Sequence, residues 1–469
     1  MQLKLRAPLL KNLIKSCCPR DSTITLYILL MIAFMLRAGY AFTHLEELSV
    51  DRDFYLGIGQ NVWEGHGFRI PGSNSPTAFR PPLYILIVAL IQGLAGLKGL
   101  ALFQCLAGVA TVWATWHCGR RLKLGRGTVL AATFVTFDPI LLRYTALAMT
   151  EVTFTMLVAL TTLLWLRVPK SLFSTIICGI AFGITTLCRP SIWPMLPVIV
   201  VLGFLAEWIS SSKTARRSSI PVRAIVVGLF AFLTVLPWGL RNYYELGHFK
   251  ITTTHGGYTF LLGNNATFFE AVLHKPLGTT WGDYPVDHPL SQTNWYRDLT
   301  DQLNQQGLKS EFERDRAQYE IAFSEIQQDP TSFCQAILLR QLRLWAPIPQ
   351  GPEANGLPNI VFFGLWVFYL SLYLLAVIGM FRLIRSPEEL PKWVWVLAIL
   401  ITFSTVHSLY WSNARMRAPL IPALALLAGL AICVRQSSGK ESRSNCNTAV
   451  SQELPDDKRG GSHISSANA

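Results

Sequence analysis

Apolar runs of bilayer length alternate along this chain with short basic stretches and with two long polar segments. The runs lie near 24–42, 83–97, 99–119, 127–147, 150–168, 171–188, 191–209, 222–240, 358–381, 392–410 and 417–434. Most approach the ~20 residues that an α-helix needs to cross the hydrocarbon layer, whereas 83–97 is short and reads as a re-entrant or interfacial helix. The bilayer core offers no water to satisfy backbone N–H and C=O groups, so spanning runs must close their hydrogen bonds internally. The pattern predicts an all-α polytopic membrane protein.

Basic residues give the expected orientation. Lys4, Arg6, Lys11, Lys15 and Arg20 precede the first run, and further clusters occupy 120–126, 167–170, 213–223, 382–392 and 435–443. Lys and Arg concentrate on the cytoplasmic side of membrane proteins; if 83–97 lies on the outer face, every cluster becomes cytoplasmic, about ten spans result and both termini are inside. The first run is long, contains Arg37 and lacks a small-x-small cleavage site, so it reads as an uncleaved signal anchor in a cell (inner) membrane.

The expected organisation is a cytoplasmic N-terminus over 1–23 and a membrane domain over 24–240, with a first outer loop over 43–98. An outer soluble cap over 241–357, final spans over 358–435 and a Ser-rich, charged, disordered tail over 436–469 complete it. The cap mixes turn-rich stretches, His255-Gly256-Gly257 and Gly263-Asn264-Asn265, with two helices separated by Asp329-Pro330. The second of these carries Phe333, Ile337, Leu338, Leu342 and Trp345 at helical spacing, with Arg340 and Arg343, as suits a helix at the interface. The loop 43–98 and the cap should pack together over the membrane.

Composition narrows the class. At 469 residues, 51% hydrophobic and 15% charged, the chain does not read as a string of soluble domains. The formal charge of +13 sits in short clusters between spans, which sets topology and calls for no nucleic-acid partner. The cysteines, including Cys17 and Cys18 before the first span and Cys105, Cys118, Cys178, Cys188 and Cys433 in or beside apolar runs, suggest no disulfide framework. There is no Walker-type phosphate loop, dinucleotide fingerprint or zinc-binding histidine pair. Polar groups gather on one face, unlike the mid-membrane sites of secondary transporters.

Asp51, Arg52 and Asp53 lie just beyond the first span, followed by Tyr55 and by Arg80-Pro81-Pro82. Ionisable groups beside a bilayer commonly mark function. A carboxylate in a partly dry, positively lined cleft can take a proton from a hydroxyl. The Asp51/Asp53 pair can equally ligate a divalent cation or belong to a solvated turn, and the sequence does not separate these. Arg143, Arg189, Arg415 and Arg417 occupy outer ends of spans, where the orientation rule does not call for them. Their planar forks suit phosphate oxygens, although snorkelling to headgroups is the plain alternative. Glu151, at the outer start of a span, either pairs with Arg143, caps its helix or orients a substrate. His255 and His407 lack metal-ligand spacing to a partner, and an ordinary hydrogen-bonded histidine is the plain reading of each.

The run Asp51-Arg-Asp-Phe-Tyr55, then Gly65-His-Gly-Phe68, then Pro76-Thr-Ala-Phe-Arg80-Pro-Pro-Leu-Tyr84 resembles the first outer loop of bacterial GT-C membrane glycosyltransferases. That group includes protein O-mannosyltransferase-like and lipopolysaccharide-modifying enzymes. Thr150-Glu151, Arg189-Pro190, Arg241-Asn242, Gly263-Asn264-Asn265 and the stretch Arg415 to Pro419 follow in the same order. The resemblance implies a GT-C-like bundle with juxtamembrane helices, and transfer of a sugar from a polyprenyl-phosphate carrier to a hydroxyl of a lipid, glycan or protein on the outer face. It implies Asp51 as base by its distance to Tyr55, with Arg52 standing where relatives have Glu or Ser. Asp53 would assist, and Tyr55, Arg80, Glu151, Arg189, His255, Arg415 and Arg417 would bind substrate. No nucleotide leaves, so no cofactor is required, though Asp51/Asp53 would accommodate a divalent cation. A flippase or transporter for a lipid-linked saccharide, a glycan ligase and a scaffold of the cell envelope are the competing readings.

Overall fold

A computed structural model describes residues 19–167, 171–210, 220–351, 354 and 356–433. The basic N-terminus with Cys17 and Cys18, most of the clusters at 167–170 and 213–223, and the tail expected to be disordered lie outside the described residues.

Every element among the described residues is a helix or a turn, so the cap expected as mixed carries no strand there. Seven helices are long and apolar enough to cross a membrane: Thr23–Thr43, Pro82–Arg121, Pro190–Ile209, Ile220–Leu246, Asn359–Ile384, Pro387–Leu409 and Ala414–Ala431. The pair Arg126–Phe137 and Pro139–Ala146, bent by 42°, makes an eighth if counted as one span. Glu151–Leu166 and Leu172–Cys188 are apolar but shorter. Each covers a run expected to cross, and Pro82–Arg121 also takes in the short run 83–97.

Local chemistry sets the breaks. At the bend, Pro139 opens the second piece and the Asp138 carboxylate accepts from Leu141 N at 2.9 Å. The carbonyls of Val135 and Thr136, orphaned where the first piece ends, accept from the buried Arg37 guanidinium at 3.0 and 3.1 Å. The short run at 83–97 is the first arm of Pro82–Arg121, which is broken at Gly96. There φ is 62° and ψ −165°, a region essentially reserved for glycine.

The helix Ile421–Ala431 is buried along nearly its whole length. Its neighbours approach through small residues: Gly127 lies against Gly429 and Gly379 against Leu427, with no space for a Cβ at either. Close backbone approach of this kind drives helix association where lipid tails are as apolar as the side chains. Ile24, Met31, Met35, Phe363 and Val367 face outward, as suits lipid contact.

The two ends of the bundle differ. At one, Arg382 donates to Cys433 O at 3.0 Å and Cys433 Sγ contacts Lys123 O at 3.6 Å, which gathers the basic stretches 120–126 and 382–392. At the other, the two polar segments meet. Glu311 accepts from Thr77 Oγ1, from Ala78 N at 3.1 Å and from Thr254 Oγ1 at 2.8 Å, while Arg241 donates to Thr77 O at 2.8 Å. The cap helices begin on side-chain caps: Ser310 and Glu313 form a capping box for Glu311–Gln328, and Asp329 caps Pro330–Leu344. The Asp329-Pro330 break thus ends one helix and starts the next.

Candidate active site

Where the first loop and the cap close over the helix ends lies a cavity of about 540 Å³. Four connections deliver its polar wall: Asp53, Tyr55 and Arg80 from the first loop, Glu151 at a helix start, Arg189 between two helices and Arg415 before the last one. The cap roofs it with His255, Tyr258 and Tyr319, and Met149, Pro190, Pro194, Val406 and Met416 give it an apolar side. Arg80, Arg189, Lys250 and Arg415 line the chamber with Asp53 and Glu151, and Lys250 is paired with Asp315 behind the wall, so basic side chains outnumber acidic ones and the chamber is electropositive.

Two ion-pair groups organise it. Arg80 binds Asp53 twice, from Nη2 to the carboxylate at 2.8 Å and from Nε to the main-chain oxygen at 3.1 Å. Glu151, only 1% exposed, holds Arg189 at 3.4 Å and Arg415 at 3.9 Å through one oxygen. Its other oxygen is buried without a hydrogen-bond partner. Each guanidinium also reaches a thioether, Arg189 that of Met416 at 3.2 Å and Arg415 that of Met149 at 3.5 Å. Arg143 is committed elsewhere, to Glu47 at 2.5 Å, so the expected Glu151–Arg143 pair gives way to Arg189 and Arg415.

Tyr55 stands between the two groups and feels the charges of both. Burial pushes its phenol up to about 12, so the hydroxyl remains a donor at neutral pH. Its ring packs edge-on against Tyr84 at 5.1 Å, locking the loop to the arm Pro82–Ala95. His255 stacks on Tyr258 at 4.9 Å and meets Phe79 edge-on at 4.4 Å. Burial, aided by Arg80, holds its imidazole well below the usual range, so it is neutral.

Asp51 and Arg417 are not brought to the cavity. The Asp51 carboxylate accepts from Leu56 N at 3.1 Å and Gly57 N at 2.8 Å, which satisfies the open N-terminus of Tyr55–Trp63. A Cβ at Gly57 would overlap Pro71, so only glycine fits this contact. Phe54, left-handed at φ 62°, turns the chain so that Asp51 points to the helix and Asp53 to the chamber. Backbone held in this region is uncommon for a bulky residue and tends to occur at functional sites. Arg417, 1% exposed, donates to Leu344 O at 2.9 Å and Ala346 O at 2.8 Å and lies over Tyr369, fastening the cap to the bundle.

The Asp51 carboxylate serves backbone donors and that of Asp53 serves Arg80, and no group of three or more His, Cys, Asp or Glu able to hold a metal occurs among the described residues. Several matched motif residues act as fasteners. Asn242 donates to Lys250 O at 2.7 Å, and Asn264 accepts from Arg340 at 2.8 Å. Lys250, Tyr258, Tyr319, His407 and Tyr410 border the cavity without any spacing in the sequence to single them out there.

The described residues form a GT-C-like helical bundle capped at one end over an electropositive cavity at the mouths of its spans. Residues 79–238 match the dolichyl-phosphate-mannose-protein mannosyltransferase family. No curated protein matches the chain in sequence. Among solved structures, it is similar to the archaeal oligosaccharyltransferase AglB from Archaeoglobus fulgidus, in complex with an inhibitory peptide and a dolichol-phosphate. That likeness has 13% identity over 87% of this chain and 50% of the other, at a TM-score of 0.52. The Archaeoglobus fulgidus oligosaccharyltransferase tethered to an acceptor peptide containing the NVT sequon gives 12%, 88%, 49% and 0.50 in the same order. ArnT from Cupriavidus metallidurans bound to undecaprenyl phosphate gives 13%, 89%, 78% and 0.41. The chain spans about half the length of the oligosaccharyltransferases it matches. The family match covers residues 79–238 alone, and the likeness to the oligosaccharyltransferases, at 13% and 12% identity, is one of fold.

Proposed function

We propose that this protein moves a sugar from a polyprenyl-phosphate carrier to an acceptor hydroxyl, with the cap and the cavity on the outer face. The observation that carries the proposal is the convergence of Asp53, Arg80, Glu151, Arg189 and Arg415 on one electropositive cavity with an apolar side at the helix ends. An amphiphile with a phosphate head needs such a chamber. The basic stretches gathered at the opposite end support cytoplasmic placement of that end. The dolichol-phosphate held by AglB is a carrier of the same chemical class.

The acceptor oxygen attacks the anomeric carbon while Asp53 takes its proton. The bond from that carbon to the phosphate oxygen breaks, its electron pair stays on the phosphate, and the polyprenyl phosphate leaves with one more negative charge. Arg189 and Arg415 meet that charge in a water-poor site, where preorganised donors are worth far more than in water. Arg80 orients the base, Tyr55 contributes a neutral hydroxyl donor, and Glu151 positions the two arginines. Asp51 shapes the loop rather than reacting.

The test is full-length protein in lipid nanodiscs supplied with a polyprenyl-phosphate sugar and candidate acceptors. Arg415→Gln is expected to lower transfer by about 10²–10³, the usual loss for one donor to a developing oxyanion. A flippase would move the lipid without consuming it, and its rate would not follow this change. A glycan ligase would require an oligosaccharide on the carrier, so rapid use of a monosaccharide donor argues against that reading.

A further inference from the structure

Beside the main cavity lies a second compartment of about 150 Å³, bordered by Trp281, Arg343, Ser412 and Asn413. Gln292 and Trp411 border both, so the two adjoin. The indole rings of Trp411 and of Trp281, which is 1% exposed, lie 6.3 Å apart and 26° from parallel and give the compartment an aromatic side.

The polar side of this compartment is incompletely used. Ser412, 1% exposed, has a buried hydroxyl without a hydrogen-bond partner, and so do Asn413 Oδ1 and Arg343 Nε. Arg343 is 5% exposed, and its one hydrogen bond among the described residues runs from Nη2 to Thr279 O at 2.5 Å. Among the described residues no acidic side chain borders the compartment. The nearby Asp283 is spent on its own capping box, accepting from Thr280 N at 2.6 Å and Thr280 Oγ1 at 3.2 Å. A buried guanidinium beside unsatisfied hydroxyl and amide groups leaves polar atoms that a ligand can satisfy.

We propose that this compartment binds an anionic group on the acceptor, a carboxylate or a phosphate carried by a saccharide, with Arg343 as its counter-charge. Resting on the glycosyltransferase reading, this makes the acceptor an acidic glycan whose reacting hydroxyl reaches past Trp411 toward Asp53. Burial lowers Arg343 only to about 10, so it keeps its charge at neutral pH. The anion is bound through charge-assisted hydrogen bonds, and Ser412 and Asn413 hold neighbouring hydroxyls.

The experiment uses full-length protein in nanodiscs and three probes: methyl glucuronide, methyl glucoside and inorganic phosphate, followed by calorimetry or saturation-transfer NMR. Wild type is expected to bind glucuronide or phosphate at least tenfold more tightly than glucoside. Preference for the glucuronide marks a carboxylate source, and preference for phosphate a sugar phosphate. Arg343→Gln should erase the preference and Arg343→Lys retain part of it, with polyprenyl-phosphate binding unchanged in both. Equal binding of all three probes by wild type overturns the proposal without recourse to a variant. So does an anion preference that survives Arg343→Gln. Wild type that prefers anions here but neither binds nor turns over a polyprenyl-phosphate sugar sinks the glycosyltransferase reading instead.

Discussion

At the residue scale, function divides neighbours that look equivalent in the sequence. Asp51 and Asp53 are two apart, yet one feeds helix amides and the other borders the cavity. Arg415 and Arg417 divide likewise, because they lie on the 3-10 turn Ala414–Leu420. With three residues per turn, side chains two apart point in directions about 120° apart and cannot share one chamber. His255 gives a pH test. Its imidazole is held well below the ordinary 6.5, so below that pH the unfolded chain takes a proton that the folded one refuses. Stability should fall by up to about 1.4 kcal/mol per unit as pH drops below that value, until the folded group itself titrates. His255→Gln should flatten that slope in melting curves recorded between pH 7 and 5; an unchanged slope would assign it to other groups. The charged residues near the membrane were thus legible as candidates: of the nine named positions seven line the cavity, and Asp51 and Arg417 miss it because of turn geometry. That geometry, set by Phe54 and by the 3-10 turn, has no sequence period to announce it.

At the element scale, the spans were legible because apolar runs of fixed length have one solution in lipid. The cap was less so: its capping residues marked helix starts at Ser310 and Asp329, but its joints depend on distant partners such as Glu311 with Thr77. The break at Gly96 is the element on which the site leans most, since the arm it releases begins at Pro82, directly after Arg80 and Pro81 at the cavity wall. A Cβ meets open space there, so the cost of Gly96→Ala is conformational alone. It is expected to destabilise the protein by about 1–3 kcal/mol. A lowered melting temperature together with reduced transfer is the expected result, and an unchanged melting temperature would mean that the break is not needed.

At the scale of the whole molecule, the bundle is polar at both ends but in different ways: basic where Lys123 and Arg382 meet, and cavity-forming where the two long segments meet. That asymmetry makes topology measurable with the chain's own cysteines. Cys334 is exposed in the cap and Cys433 lies at the opposite end. In single-cysteine variants, a membrane-impermeant maleimide should label Cys334 in intact cells and Cys433 only after permeabilisation; the reverse order would put the cavity on the cytoplasmic side. The proposed mechanism assigns the reaction to Asp53 and the shaping of the loop to Asp51. Single-turnover consumption of a polyprenyl-phosphate sugar in nanodiscs tests this most directly. Asp53→Asn should slow the chemical step by about 10²–10⁴ while the carrier still binds, and Asp51→Ala should cost about 0.5–2 kcal/mol of stability with turnover per folded molecule nearly intact. Normal turnover in Asp53→Asn, with turnover abolished in a folded Asp51→Ala, would contradict it.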